Sequence, residues 1–294
     1  MYAIGMCVDE RYLLPSLITL TSLADSLAVR ARQEVAVRVL TLDLSRQHVE
    51  TMAAVARRLG FGSFGLEYSR PDTVSVMADA SYITVTTYLR FQFTPSFVGR
   101  SHLVYVDADV LVTGDLTAPL HGLPPDRIGA VRDEFNWAVG QCPALPGVAE
   151  RWPQWYGRPY VNAGMLWLPV ALLGRLRAGV EKALVRGRRH VLHNDQDALN
   201  LWLLETGAAH PVAGEFNRFE LGRFLERGDW VRRVIHRPLR TDATALHFVG
   251  EHKPWMASCP NTDDVRTYRA HAVRALRFVG RLGDQSMGVP GGVW

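Results

Sequence analysis

The chain is predicted to fold as an α/β protein: a Rossmann-like, mostly parallel sheet flanked by helices, with a loop-rich lobe in its second half. Three observations carry this. Short apolar runs alternate with helix-length stretches through the first half. The run Leu103-Val104-Tyr105-Val106 is apolar without alternation, as a strand buried on both faces requires. The chain has 294 residues, 48% of them hydrophobic, enough for one large core, or one core and a smaller lobe.

The elements follow in order. Residues 2–8 read as a strand and 12–28 as a helix. A second strand covers 34–42. Ser45 can cap a helix that runs to Leu59, where Gly60 ends it. A third strand covers 64–68, and 86–93 look helical. The strand 103–106 comes next, then a short one at 128–131. Residues 160–168 form a strand, 172–185 a helix, and 195–205 a helix with Leu199, Trp202 and Leu203 on one face. Residues 214–242 are Arg-rich with little periodicity and read as a loop-rich lobe. A strand returns at 245–249, and 263–279 form a basic amphipathic helix. Gly60-Phe61-Gly62-Ser63-Phe64-Gly65 matches GxGxxG, but a helix precedes it and a strand follows. That reverses the dinucleotide order, so it reads as a helix C-cap and turn.

Composition narrows the setting. Cys7, Cys142 and Cys259 are odd in number and scattered, without zinc spacing, so no structural disulfide is expected and a reducing cytoplasm fits. The longest apolar stretches fall far short of a membrane span. Met1-Tyr2-Ala3-Ile4 leads straight into the first strand, so no signal peptide is expected. The net charge is +4, and of 33 basic residues only Lys182 and Lys253 are lysine, which makes Lys253 conspicuous. Modest basicity suits nucleic acid, an anionic membrane surface or an anionic nucleotide, and does not choose among them.

Asp107-Ala108-Asp109 closes the strand 103–106. Residues two apart on an extended chain point the same way, so both carboxylates leave the core together. Ligands of open α/β sheets bind at that end. Paired oxygens there suit a hard divalent cation, and a cation suits a phosphate-bearing substrate. Alone, the motif is equally an exposed strand-end turn. Three clusters join it. His247-Phe248-Val249-Gly250-Glu251-His252-Lys253-Pro254-Trp255 follows a strand and offers an imidazole, a Gly that admits close backbone approach, and a Lys that can reach a phosphate. Asn162-Ala163-Gly164 places a Gly within a strand. Asp195-Gln196-Asp197 opens a helix, where its polar groups would face outward.

With Val8-Asp9 and Tyr12, Thr86-Thr87-Tyr88-Leu89-Arg90 and Tyr105-Val106-Asp107-Ala108-Asp109-Val110-Leu111, these motifs occur in an order that resembles glycosyltransferase family 8. These are retaining GT-A enzymes that include bacterial lipopolysaccharide galactosyltransferases and glycogenin. The resemblance covers residues 2–257, and His-x-x-Gly-x-x-Lys-Pro-Trp is its most specific string. It implies a GT-A domain over 1–257, with a donor-nucleotide half at 1–112 and an acceptor and metal-closing half at 113–257. A C-terminal helix and tail follow at 258–294.

The resemblance further implies that Asp107, Asp109 and His247 bind a divalent metal, manganese before magnesium given the imidazole, and that the donor is a UDP-sugar, UDP-galactose or UDP-glucose. Lys253 and the Gly250 backbone would hold its phosphates, Asp9 the uracil and the Ala108 backbone the ribose region, with Cys7 beside them. Arg90, Asn162, Gly164, Asp195 and Gln196 would surround the sugar, with Asp195, Gln196 and Arg90 the catalytic candidates. The structural alternatives are plain: Arg90 pairing with an acid, Asn162 as a satisfied strand-end amide, Asp195 as an N-cap. Trp255 is expected in the core, and His190, His193 and His252 on the surface. Glu10-Arg11 departs from the second Asp and the Asn that relatives often carry, which puts contacts to base or ribose there in question.

The expected reaction is retaining hexosyl transfer to the hydroxyl of a small-molecule or glycan acceptor. Gln196 is a poor nucleophile and no paired Glu is evident, so same-face attack is favoured over double displacement. Asp133, Trp137 and Tyr160 are the acceptor candidates. The last two belong to an aromatic group with Phe135, Trp152, Trp155 and Tyr156 that serves equally as a sugar platform or a lid core. A metal-dependent nucleotidyltransferase or nucleotide-sugar hydrolase would also use paired Asp on such a sheet. An Arg-rich nucleic-acid-binding domain would leave the Lys-Pro-Trp string without a role, so no nucleic-acid partner is expected. Arg266, Arg269, Arg274 and Arg277 could touch a membrane peripherally, but packing against the domain suits their helix better.

Overall fold

Residues 2–70, 85–226 and 243–280 are described by a computed structural model. Strands β1 (Tyr2–Cys7), β2 (Ala36–Thr41), β3 (Ser63–Tyr68) and β4 (His102–Val106) run parallel in the order β3-β2-β1-β4. The connections are α1 (Leu13–Ser26), the short α2 (Val29–Glu34), α3 (Arg46–Leu59) and α4 (Pro95–Val98). Ser45 caps α3 through its hydroxyl, and Gly60 ends it at φ +86°, the left-handed conformation that favours glycine. The GxGxxG string is thus a cap and turn. Residues Val85–Phe91 form a 3₁₀ helix rather than an α-helix; Val85, Thr86 and Thr87 are all β-branched, which weakens helix formation at its start.

The sheet then turns antiparallel. Strand β5 (Val110–Val112) leaves the Asp107-Ala108-Asp109 turn, and β6 (Ile128–Arg132), α5 (Val148–Arg151) and β7 (Val161–Pro169) follow. All nine residues of β7 are buried, and β7 pairs antiparallel with both β4 and β6. Helices α6 (Leu173–Gly187) and α7 (Asn194–Thr206) lead to β8 (Ala209–Val212), completing the order β3-β2-β1-β4-β7-β6-β8.

A second, three-stranded sheet closes the site. Strand β9 (Arg218–Phe219) precedes α8 (Gly222–Glu226), and β10 (Ala245–His247) lies between β5 and β9. The predicted loop-rich lobe begins with this ordered segment, and the rest of it, 227–242, lies outside the described residues. Helix α9 (Asp263–Gly280) buries Val265, Tyr268, Ala272, Ala275 and Val279 in the same core as Leu17, Ile18 and Leu20 of α1. Full burial of such aliphatic side chains contributes about 1.5–3 kcal/mol each. No helix among the described residues is long and apolar enough to cross a membrane.

Candidate active site

Register brings the three predicted metal ligands together. Val106 of β4 pairs with Met165 of β7, and the Asp107 amide donates to the Gly164 carbonyl at 2.8 Å. The turn continues into β5, where Val110 pairs with His247 of β10, and the Phe248 amide donates to the Asp109 carbonyl at 3.1 Å. Thr19 of α1 holds the turn from beneath, its hydroxyl 2.8 Å from the carbonyls of Ala108 and Val110.

The side-chain partners then divide the donor atoms. Asp107 Oδ1 accepts from the Tyr105 hydroxyl at 2.6 Å and lies 3.2 Å from Arg90 Nη2. Asp109 Oδ2 pairs with Lys253 Nζ at 2.6 Å. His247 Nδ1 faces Asn217 Oδ1 at 2.9 Å. Left facing one another are Asp107 Oδ2, Asp109 Oδ1 and His247 Nε2, the last 3.9 Å and 3.3 Å from the two oxygens. Ligands about 2.1 Å from an octahedral ion sit about 3 Å apart, so this set can close on a divalent cation. Gly164 supplies the room: a Cβ there would fall 2.2 Å from His247 Cε1 and 2.9 Å from Asp107 Oδ2. Two carboxylate oxygens and one imidazole nitrogen suit an ion of intermediate softness.

The two carboxylates are poised differently. Burial pushes the Asp107 carboxyl up, and Arg90 opposes it. Burial acts on Asp109 too, but Lys253 and His247 outweigh it and hold its carboxyl well below the usual range. The Tyr12 phenol is pushed up by burial and then by Asp109, Asp9 and Asp107, which places Asp9 in the field of the same pair.

Arg90 is buried and knits the sugar-side candidates. It donates to the carbonyls of Thr87 and Ala163 and pairs with Asp107 and Asp195. Burial works against its charge, and Asp107 and Asp195 more than restore it. Asp195 is not an N-cap: α7 starts at Asn194, and Asp195 and Asp197 point inward rather than outward. Asp195 Oδ1 accepts from the Thr87 hydroxyl at 2.9 Å. Arg90 Nε lies 3.0 Å from Asp195 Oδ2, yet its proton is aimed at the Thr87 carbonyl, so Oδ2 accepts no hydrogen bond among the described residues.

An amide network lies beside it. Asn162 Nδ2 donates to Gln196 Oε1 at 2.9 Å and to Asp133 Oδ2 at 3.1 Å, and Gln196 Nε2 donates to the same Asp133 oxygen at 3.1 Å. Asp133, read from the sequence as an acceptor residue, therefore contacts Asn162 and Gln196 directly.

The loop after β10 is held by a buried ion pair that sequence reasoning missed. Arg223 Nε lies 2.6 Å from Glu220 Oε2, and neither side chain is more than 3% exposed. Arg223 also donates to the carbonyls of Val249 and His252, either side of Gly250, which has φ +81°. Lys253 then reaches back to Asp109 and to the Phe248 carbonyl at 2.8 Å.

Other candidates are placed less openly. Asp9 caps the 3₁₀ turn Glu10–Tyr12 through Oδ1, with Thr86 on Oδ2. Glu10 is turned away to the Ser45 amide and His48. Ala108 and Cys7 are buried, and burial pushes the Cys7 thiol up. The aromatic group does not form one platform. Tyr160 is fully buried with its hydroxyl on Asp197, Trp152 packs on Trp155 with the rings tilted, and Phe135 packs on Phe219 and Phe224. Tyr160 thus presents no surface, whereas Trp137 is half-buried and donates to Gln141. Trp255 is partly buried and packs on Tyr12 and Tyr268. His190, His193 and His252 are half-buried rather than on the surface, and the His252 carbonyl is one that Arg223 holds. In the Arg-rich segment, Arg218 is buried against Asp264.

Comparison with known proteins agrees with this architecture. The chain is similar to the glycosyltransferase GlyE of Streptococcus pneumoniae, 25% identical over 178 residues, 59% of this chain. Those residues span 38% of GlyE, so the chain matches well under half of that relative's length. Among solved structures, the galactosyltransferase LgtC, in complex with donor and acceptor sugar analogs, superposes with a TM-score of 0.68 at 23% identity, over 97% of this chain and 98% of LgtC. Mouse xyloside xylosyltransferase 1 superposes with a TM-score of 0.57 at 14% identity, over 84% of this chain and 97% of that one. These identities establish the GT-A fold. The family model described as glycosyl transferase family 8 matches residues 3–259, nearly the whole length, and the chain belongs to that family.

Proposed function

We propose that the protein is a metal-dependent, retaining hexosyltransferase that uses a UDP-sugar, UDP-galactose or UDP-glucose, and glycosylates an acceptor hydroxyl. The observation that carries this reading is the convergence of Asp107 Oδ2, Asp109 Oδ1 and His247 Nε2 where β4 leaves the core, with every other polar atom of those side chains already engaged. Its likeness to LgtC favours a galactosyl donor. A manganese ion held by these three residues would supply positive charge to the diphosphate.

The chain's own residues do the rest. Lys253 spends its donors on Asp109 and the Phe248 carbonyl, and an ammonium has a third N–H to offer a phosphate oxygen. Asp195 Oδ2, buried and without a hydrogen bond among the described residues, would gain one from a hydroxyl of the donor sugar. Arg90 pairs with both Asp195 and Asp107 and fixes their spacing. Gln196 Oε1 already accepts from Asn162 and from the Ala163 amide, so it is tied down as an electrostatic neighbour of the anomeric carbon, not freed as a nucleophile. Asp195 likewise has one oxygen on Thr87. With Gln196 tied down and Asp195 Oδ2 assigned to a sugar hydroxyl, attack and departure take place on the same face. Asp133 and Trp137 are the acceptor-side residues.

The reading is tested by incubating the enzyme with Mn²⁺, UDP-galactose or UDP-glucose and candidate acceptors, then identifying products. Free UDP and an α-glycoside are expected, the anomeric proton coupling in the NMR spectrum reporting configuration. UMP or sugar phosphate would support nucleotidyl transfer or hydrolysis instead, and a β-glycoside would overturn retention.

A further inference from the structure

We propose that Asn217 sets the tautomer of His247, so that a lone pair and not a proton faces Asp107 and Asp109; its use in metal binding rests on the reading above. Two backbone amides, which can only donate, fix the orientation of two side-chain amides. Gly164 N donates to Asn162 Oδ1 at 2.8 Å, and Ala163 N to Gln196 Oε1 at 3.0 Å. These contacts orient both carboxamides. The amino end of Asn162 consequently meets two acceptors, Gln196 Oε1 and Asp133 Oδ2.

The next link is forced in turn. Asn217 lies 2.9 Å from Asn162 Oδ1, and an oxygen that accepts from a backbone amide needs a donor on its other side. Asn217 must therefore present its amino group there. Its carbonyl oxygen is left facing His247 Nδ1 at 2.9 Å. A carboxamide oxygen only accepts, so Nδ1 carries the proton. Neutral imidazole has one N–H, so Nε2 carries the lone pair.

That lone pair faces carboxylate oxygens at 3.3 Å and 3.9 Å. The arrangement is repulsive until a cation stands among the three atoms. Without Asn217 the ring would be free to put its proton on Nε2 and bond Asp109 directly, which would close the site on itself. Water cannot readily replace the amide, because Asn217 is 1% exposed and the Phe219 ring packs edge-on against His247 with centroids 5.6 Å apart. Partners that orient a liganding imidazole in this way commonly change metal affinity tenfold to a hundredfold. Asn217 is thus a positioning residue, and it joins the metal ligands to the Asn162–Gln196–Asp133 network.

Long-range proton–nitrogen NMR of the full chain tests this, metal-free and at alkaline pH to remove the imidazolium form. Wild type should show His247 with Nδ1 protonated and Nε2 unprotonated. Asn217→Ala should move the proton to Nε2 and weaken Mn²⁺ binding, read by electron paramagnetic resonance of free Mn²⁺, by about tenfold or more. Asn217→Asp keeps an oxygen for Nδ1–H and should keep the tautomer. A wild-type spectrum with the proton on Nε2, or an alanine variant with the wild-type tautomer, overturns the proposal. If Asn217→Ala does not fold, the wild-type and aspartate spectra decide. If the tautomer shifts as expected but the wild type binds no Mn²⁺, the relay stands and the metal reading falls.

Discussion

Lys253 Nζ lies 2.6 Å from Asp109 Oδ2, and the opposite oxygen of that carboxylate faces His247 Nε2 at 3.3 Å. The lysine neutralises one side of a buried carboxylate and leaves the other side aimed at the proposed metal position. In the proposed function one side chain thereby serves two tasks, shaping Asp109 and offering charge to a phosphate.

Lys253→Ala should therefore cost about 2–4 kcal/mol of transition-state stabilisation, the scale seen when one charge donor is lost from an oxyanion-type site. Steady-state kinetics read it as a fall in kcat/KM of roughly thirtyfold to a thousandfold. A change within about a factor of two would make Lys253 a packing residue.

Gly164→Ala tests the room beside the ligands. The added Cβ would sit 2.2 Å from His247 Cε1, so the imidazole must move. Isothermal titration should show Mn²⁺ affinity at least tenfold weaker, the scale of a displaced ligand shell, while far-ultraviolet circular dichroism stays native. Unchanged affinity would mean that His247 is not held where the metal binds.

Arg223→Met isolates the loop clamp. It leaves Glu220 buried without its partner, while the methionine can pack on Phe224 and Phe248, the rings that Arg223 lies over at 5.2 Å and 5.3 Å. Breaking a buried pair on one side costs about 3–5 kcal/mol, which urea unfolding would register as a lower midpoint. The double variant Glu220→Leu with Arg223→Met should recover part of that loss, because no lone charge remains, although the loop carbonyls stay unbonded.

Much of this was legible in the chain. The first four strands, the cap at Ser45 and the strand-end carboxylates follow from local pattern, because each depends on residues close in sequence. The ordered motifs placed Asp107, Asp109 and His247 together, and β-strand register accounts for how. The antiparallel β7 was not legible, since strand direction depends on where the intervening chain crosses. Asn217, Glu220 and Arg223 escaped for a related reason. They lie in a stretch without periodicity; the partners of Asn217 and the carbonyls that Arg223 holds are on other strands and loops, and nothing local marks the Glu220–Arg223 pair as buried. The inward turn of Asp195 also escaped: the first turn of a helix is usually solvated, but here Arg90 and Thr87 meet it. Thr87 and Tyr105 lie inside motifs that the sequence already marked, so their contacts with Asp195 and Asp107 had a local signal.

Covalent trapping offers a further check on mechanism. Gln196→Ala should slow turnover without accumulating an adduct, because the amide oxygen is held by two donors. Intact mass spectrometry during turnover should find unmodified protein. A mass increase of one hexose that maps to Asp195 would reassign that residue as a nucleophile.

The most direct test of the central claim is UDP release from the donor sugar as Mn²⁺ is titrated against a chelator, in wild type and in Asp109→Asn. Turnover should vanish in excess chelator, return on adding Mn²⁺, and be absent from the variant at all Mn²⁺ concentrations while the variant remains folded. Full wild-type turnover in excess chelator would contradict it.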